Sequence, residues 1–293
     1  MNLVDKEILA MVKSNNLDDL FNRRIPEIET LNMWEEHEFI DSPFVEIPNI
    51  VKLGKETKII VDLQYPKLGM QNAIKKSLIR KEVLERLLIA CTILPQGLAF
   101  RIWDIYRTWS LQNELYYAYK PEIIKQFKLE DLSPEEQERI ISNYVSIPNK
   151  NEVLPPLHTT GGSVDLTITD LVTGKDLDFG IGFDDFSDLT NTASYEKENS
   201  NGLVRDNRRL LYNIMIEAGF TNLPSEVWHY DYGNRSWGYY KKKPAIYKGV
   251  LEMDKIPSII SFKEFIEKLK EHKSDIGTKL ATYNWGYSED FER

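Results

Sequence analysis

The sequence predicts a globular domain that mixes helices with strands, on three observations. Of its 293 residues 42% are apolar and 11% aromatic, enough to bury one large core. Val164, Leu166 and Ile168 alternate with Asp165, Thr167 and Thr169, the two-residue period of a strand. Leu210, Leu211, Ile214, Met215 and Ala218 instead form one helical stripe, with Gly219 as its stop. The net charge of −9 argues against nucleic acid as a partner. The single cysteine, Cys91, excludes an internal disulfide and a Cys-rich structural zinc knot. No uninterrupted apolar run is long enough to span a membrane, so no membrane partner is expected. The N-terminus bears Asp5 and Glu7 and lacks a hydrophobic signal core, so the expected location is cytoplasmic.

Taken in order, Ile8, Leu9, Met11 and Val12 suggest a short amphipathic helix before Pro26, Pro43 and Pro48 break the chain. Lys58 to Leu63 reads as a strand, and Pro66 and Gly69 mark a loop. A helix follows over 77–93, with Cys91 on its core stripe and Pro95 at its end. Phe100 to Arg107 is dense in strand formers, and a helix follows through Tyr119. Ser133-Pro-Glu-Glu136 is a capping box that opens a helix to about Tyr144. Pro148, Pro155 and Pro156 then hold the chain extended as far as His158. Phe183-Asp184-Asp185-Phe186 begins a polar surface loop, and Asn207 to Ala218 is the striped helix. Val227 to Tyr232 and Trp237 to Tyr247 read as strand material, and Ser261 to Glu264 opens a last helix to about His272.

The chemistry concentrates in two short segments. Of four histidines, His37 and His272 sit among charged neighbours and read as solvated, which leaves His158 and His229 as a metal pair. His158 and Asp165 are seven residues apart, roughly 24 Å if extended. Gly161 and Gly162 allow the chain to fold back, placing Asp165 near the start of a strand and facing the site. Glu226 and His229 would point to opposite faces of a regular strand, so Glu226 belongs to the turn before it, at Pro224-Ser225. Two imidazoles, one ligating carboxylate and one spare carboxylate are the components of a catalytic zinc site with a general base.

His158-Thr-Thr-Gly-Gly-Ser-Val-Asp165, Glu226-Val-Trp-His229-Tyr and Trp103-Asp-Ile-Tyr-Arg107 together resemble the three signatures of the zinc D-alanyl-D-alanine dipeptidases, the VanX-type metallopeptidases. Order and separation match as well, over about residues 50 to 245. The resemblance implies an α+β fold with a central antiparallel sheet flanked by helices. It divides the chain into an N-terminal extension (1–50), a zinc dipeptidase domain (51–250) and a C-terminal helical extension packed on it (251–293). It implies one zinc ion per chain on His158, Asp165 and His229, with Glu226 as general base. Arg107 would stabilise the transition state, and Asp184 would face the substrate's ammonium end. The implied reaction is hydrolysis of a small dipeptide, D-alanyl-D-alanine first, which belongs to peptidoglycan chemistry.

This chain departs from the family pattern in three places. Thr108 stands where proline is common, Pro156 where serine is common, and Ser163 where alanine is common. Two alternatives remain at this level. One is a zinc DD-carboxypeptidase or endopeptidase acting on longer peptidoglycan stems; the other is a catalytically silent, zinc-stabilised binding domain. The oligomeric state and the role of residues 1–50 are not legible in the sequence.

Overall fold

In the computed structural model, residues 18–29, 34–197, 200–269, 271 and 275–289 are described. The helix expected around Ile8 to Val12 and the reading of His272 lie outside them. The elements in chain order are α1 (Asp18–Asn22), β1 (Phe44–Glu46), β2 (Ile50–Leu53), β3 (Glu56–Val61), α2 (Gln64–Lys67), β4 (Leu78–Arg80), α3 (Lys81–Ile93) and β5 (Leu98–Asp104). Then come α4 (Trp109–Phe127), α5 (Pro134–Ile141), β6 (Ser163–Asp170), α6 (Gly202–Glu217), β7 (Thr221–Asn222) and β8 (His229–Asp231). The chain continues through α7 (Arg235–Lys241), β9 (Ile259–Ser261), α8 (Phe262–Leu269), α9 (Asp275–Ala281) and β10 (Trp285–Ser288).

Among the described residues the strands form a seven-stranded sheet in the order β10-β2-β3-β5-β6-β8-β7 and a three-stranded one in the order β4-β1-β9. The large sheet is antiparallel apart from the β3–β5 pair, which is parallel. This is the α+β architecture expected. Both terminal stretches are woven into it, since β1 pairs with β9 and β10 pairs with β2. No described helix is long and apolar enough to cross a membrane.

One face of the large sheet is covered by α3 and α6. Leu84, Leu87, Leu88 and Cys91 from α3 and Leu210, Leu211, Ile214 and Met215 from α6 share one buried cluster with Ile59, Phe100, Ile102, Val164, Leu166 and Ile168. At roughly 1.5–3 kcal/mol for each large apolar side chain buried, this layer dominates the stability and fixes the sheet's orientation. The strand residues that alternate with these core positions, Asp165 and Thr167 among them, point to the opposite face, where the site lies. A smaller cluster of Tyr116, Ile123, Leu129, Ile141 and Val145 packs α4 against α5 beyond that face.

Local chemistry explains where the elements differ from the sequence reading. Residues 78–80, read as the start of a helix, form β4 because they pair with β1. Trp237 to Tyr247, read as strand, begins instead as α7, because the Asn234 side chain caps it by accepting from the Trp237 amide at 3.1 Å. The Ser133–Glu136 capping box opens α5 as expected. Thr108 accepts from the Leu111 amide at 3.1 Å and caps α4, a task that proline, common there in the family, has no side-chain oxygen to perform.

Arg208 of α6 organises the long loop between β6 and α6. It is fully buried, and its hydrogen bonds among the described residues go to carbonyls and a hydroxyl rather than to a carboxylate. Its guanidinium donates to the carbonyls of Phe179 (2.7 Å), Leu189 (2.8 Å) and Asn191 (2.8 Å) and to Ser194 Oγ (2.8 Å). It thereby pins the loop on both sides of Asp184. Arg208→Met should leave the buried Phe179 carbonyl without its donor, remove one donor each from Leu189 and Asn191, and lower the unfolding free energy by about 2–3 kcal/mol. Urea unfolding checks this; a loss below about 1 kcal/mol would show that the loop does not depend on the clamp.

Candidate active site

Strand register builds the site. Asp165 lies directly across from Asp104 on β5 and from His229 on β8, so three adjacent strands present one acid, a second acid and an imidazole in a single row. The pairing between β5 and β6 jumps from Ile102↔Leu166 to Asp104↔Asp165, passing over Trp103 as a bulge. Without that extra residue Trp103 rather than Asp104 would face Asp165.

His158 enters from the other side, on a tight helical turn, Leu157–Thr160, that ends at Gly161 in a left-handed conformation (φ 71°). A side chain at Gly161 would collide with the Phe44 ring, and one at Gly162 would meet the Tyr232 carbonyl oxygen at 2.7 Å. The glycine pair therefore serves both the bend and the close approach of neighbouring chain.

The tautomers of the two histidines follow from their partners. His158 Nδ1 lies 2.6 Å from the Ile105 carbonyl and His229 Nε2 lies 2.9 Å from Asp231 Oδ1; both partners can only accept, so both nitrogens carry the proton. The remaining nitrogens, His158 Nε2 and His229 Nδ1, which a metal ion would use, face each other at 3.1 Å. Asp165 closes the triangle, with Oδ2 at 3.2 Å from His158 Nε2 and Oδ1 at 3.0 Å from His229 Nδ1. Donors around a tetrahedral cation with bonds of about 2.0–2.1 Å stand about 3.3 Å apart, so the three residues fit a metal ion.

Charge points the same way. Asp104, Asp165 and Asp231 are all buried around the two imidazoles, and Arg107 is the buried guanidinium beside them. Burial opposes charge on Asp165, but His158 and His229 hold its carboxyl well below the usual range. Burial likewise opposes charge on His229, and Asp231 and Asp165 outweigh it and push the imidazole up. The cluster thus favours positive charge at its centre.

Glu226 sits in the turn before β8, where its amide donates to the Leu223 carbonyl at 2.9 Å. Asn222 steadies the turn by donating to the carbonyls of Glu226 (3.0 Å) and His229 (2.9 Å). The Glu226 carboxylate lies 3.6 Å from His229 Nδ1, beside the donor triangle rather than within it, and burial raises its pKa. Arg107 is held through Nε and Nη2 by Asp104 (3.1 and 2.9 Å), through Nη1 by Gln112 Oε1 (2.8 Å) and through Nη2 by the Tyr65 hydroxyl (3.1 Å). Asp184, left-handed at φ 53°, accepts from the Tyr119 hydroxyl at 2.7 Å, and burial pushes its carboxyl up to about 6.

The structure brings all six expected residues to the wall of one cavity of about 40 Å³, which Tyr65, Gln112, Tyr119 and Tyr144 also line. His37 lies exposed, away from it. Asp104, Tyr65, Gln112 and Asp231 were missed by the sequence reading. Asp104 alone had a local signal, three residues before Arg107; the others meet the site only through the fold.

A family model described as D-ala-D-ala dipeptidase, Peptidase_M15, matches residues 67–247. The chain is 29% identical over 162 residues to a D-alanyl-D-alanine dipeptidase of Synechocystis sp., covering 46% of this chain and 64% of that protein. It is 30% identical over 141 residues to the D-alanyl-D-alanine dipeptidase of Enterococcus faecium, covering 46% of this chain and 62% of the relative. The matches therefore span a little under two thirds of these relatives' length. A crystal structure of the vancomycin-resistance D,D-pentapeptidase VanY in complex with Zn(II) aligns over 60% of this chain and 85% of that chain, with 16% identity and a TM-score of 0.33, too low to bear on the argument. The family match covers more than half of the sequence: the chain belongs to the Peptidase_M15 family of D-Ala-D-Ala dipeptidases.

Proposed function

We propose that this chain is a zinc-dependent dipeptidase, with D-alanyl-D-alanine as its first candidate substrate and one Zn²⁺ per chain on His158, Asp165 and His229. The reading is carried by the meeting of three donors at 3.0–3.2 Å with an unused carboxylate, Glu226, 3.6 Å from one of them. When bound, zinc would supply a Lewis acid for the peptide carbonyl and lower the pKa of a bound water to roughly 7. Glu226 takes a proton from the attacking water and passes it to the leaving amine, work for which a carboxyl raised by burial is suited. Arg107 Nη2 lies 3.8 Å from Asp165 Oδ2, beside the donor triangle, and its fixed positive charge would stabilise the developing oxyanion. Because Asp104, Gln112 and Tyr65 already orient it, little reorganisation is needed at the moment of reaction, and such a donor is typically worth about 10²–10³-fold. Asp184 receives the substrate's ammonium group.

In a panel of D- and L-dipeptides and stem peptides, zinc-loaded protein should cleave dipeptides, D-Ala-D-Ala best. Preference for stems would select the carboxypeptidase alternative, and bound zinc without hydrolysis would select the silent binding domain. Glu226→Gln should lower kcat by about 10²–10⁴-fold with zinc content unchanged; undiminished turnover with metal bound refutes the assigned base. Asp184 loses its charge as pH falls through about 6, so KM should rise below that pH, roughly tenfold per pH unit, and Asp184→Asn should raise KM and flatten that rise. An identical KM profile in the variant would remove Asp184 from substrate binding.

A further inference from the structure

Behind His229, on the side away from the donor triangle, lies a second buried carboxylate with an unusual set of partners. Asp231 Oδ1 accepts from three donors: His229 Nε2 at 2.9 Å, Ser163 Oγ at 2.7 Å and Asn234 Nδ2 at 2.6 Å. Asn234 also donates to Ser163 Oγ at 3.1 Å, and its own oxygen accepts from the Trp237 amide at the start of α7, so the group is anchored to the backbone there. Asp231, Ser163 and Asn234 have no solvent exposure, and Ser163 and Asp231 face each other across the β6–β8 pair. Among the described residues the ion pair found for Asp231 is with His229, and no lysine or arginine lies within ion-pair distance.

We propose that Asp231, aimed by Ser163 and Asn234, is a positioning residue for the metal centre, fixing His229 with Nδ1 bare and strengthening it as a ligand. The proposal rests on the reading of His229 as a zinc ligand. A buried anion is expensive unless a cation offsets it. In a purely structural network an asparagine oxygen at position 231 would accept the same hydrogen bonds without burying a charge. What the carboxylate adds is negative charge behind the imidazole, which increases the electron density the ring offers to a metal. Ser163 acquires a role on the same ground. It stands where the family commonly has alanine, and its hydroxyl is one of the two uncharged donors that hold Asp231 in line with the ring.

The test is zinc affinity, measured by competition with a chromophoric chelator and without reference to hydrolysis. Asp231→Asn preserves shape and removes charge; it should keep the far-UV circular dichroism of the parent and weaken zinc binding by about 10–100-fold. Ser163→Ala should weaken it less, because the Asp231–His229 contact survives. Affinity within twofold of the parent in folded Asp231→Asn overturns the proposal. Should that variant not fold, long-range ¹H–¹⁵N correlation on the zinc-loaded parent decides: a proton on His229 Nε2 supports the assignment, and one on Nδ1 overturns it. If the parent itself binds no zinc, the underlying functional reading falls, and this proposal with it; if the parent binds zinc and Asp231→Asn binds it equally, only the present proposal falls.

Discussion

Everything in the site depends on the register of β5, β6 and β8. Side chains directly opposite one another in a sheet share a face, so Asp104, Asp165 and His229 meet because their residues are paired. A slip of one residue would turn Asp165 into the α3–α6 core and Val164 or Leu166 toward the site, exchanging a buried carboxylate for an apolar side chain on both faces. The core therefore protects the chemistry: the same alternation that buries Val164, Leu166 and Ile168 aims Asp165. The Trp103 bulge adds the final adjustment, bringing Asp104 into the row.

Around that row the functional side chains are held by residues that do not enter the donor triangle. Ile105 and Asp231 fix the two rings, Asn222 fixes the Glu226 turn, and Asp104, Gln112 and Tyr65 fix Arg107. These contacts orient the side chains before any ligand arrives, which suits a preorganised site. Arg208 extends the same logic to the loop bearing Asp184, which it anchors through backbone carbonyls rather than through an acid.

What could be read from the sequence was whatever local chemistry determines. Two of four histidines were set aside by their charged neighbours. The glycine pair at 161–162 signalled a reversal, and the geometry of a pleat placed Glu226 in a turn before β8. The readings of His37, the glycine pair and Glu226 agree with the folded chain because each rests on one short segment. Residues 78–80 were misread because β4 exists only by pairing with β1, more than thirty positions away. Trp237 to Tyr247 was misread because its aromatic composition outweighed a single cap at Asn234. Gln112, Tyr65 and Asp231 gave no signal at all, since each acquires meaning only beside residues distant in sequence. Two departures from the family pattern now have local explanations: Thr108 caps α4 and Ser163 braces Asp231.

The most direct test of this account is diffraction from zinc-loaded crystals at the zinc absorption edge. The account predicts one anomalous peak per chain within about 2.0–2.3 Å of His158 Nε2, the Asp165 carboxylate and His229 Nδ1. A peak elsewhere, or none while the two imidazoles turn away from each other, would contradict it.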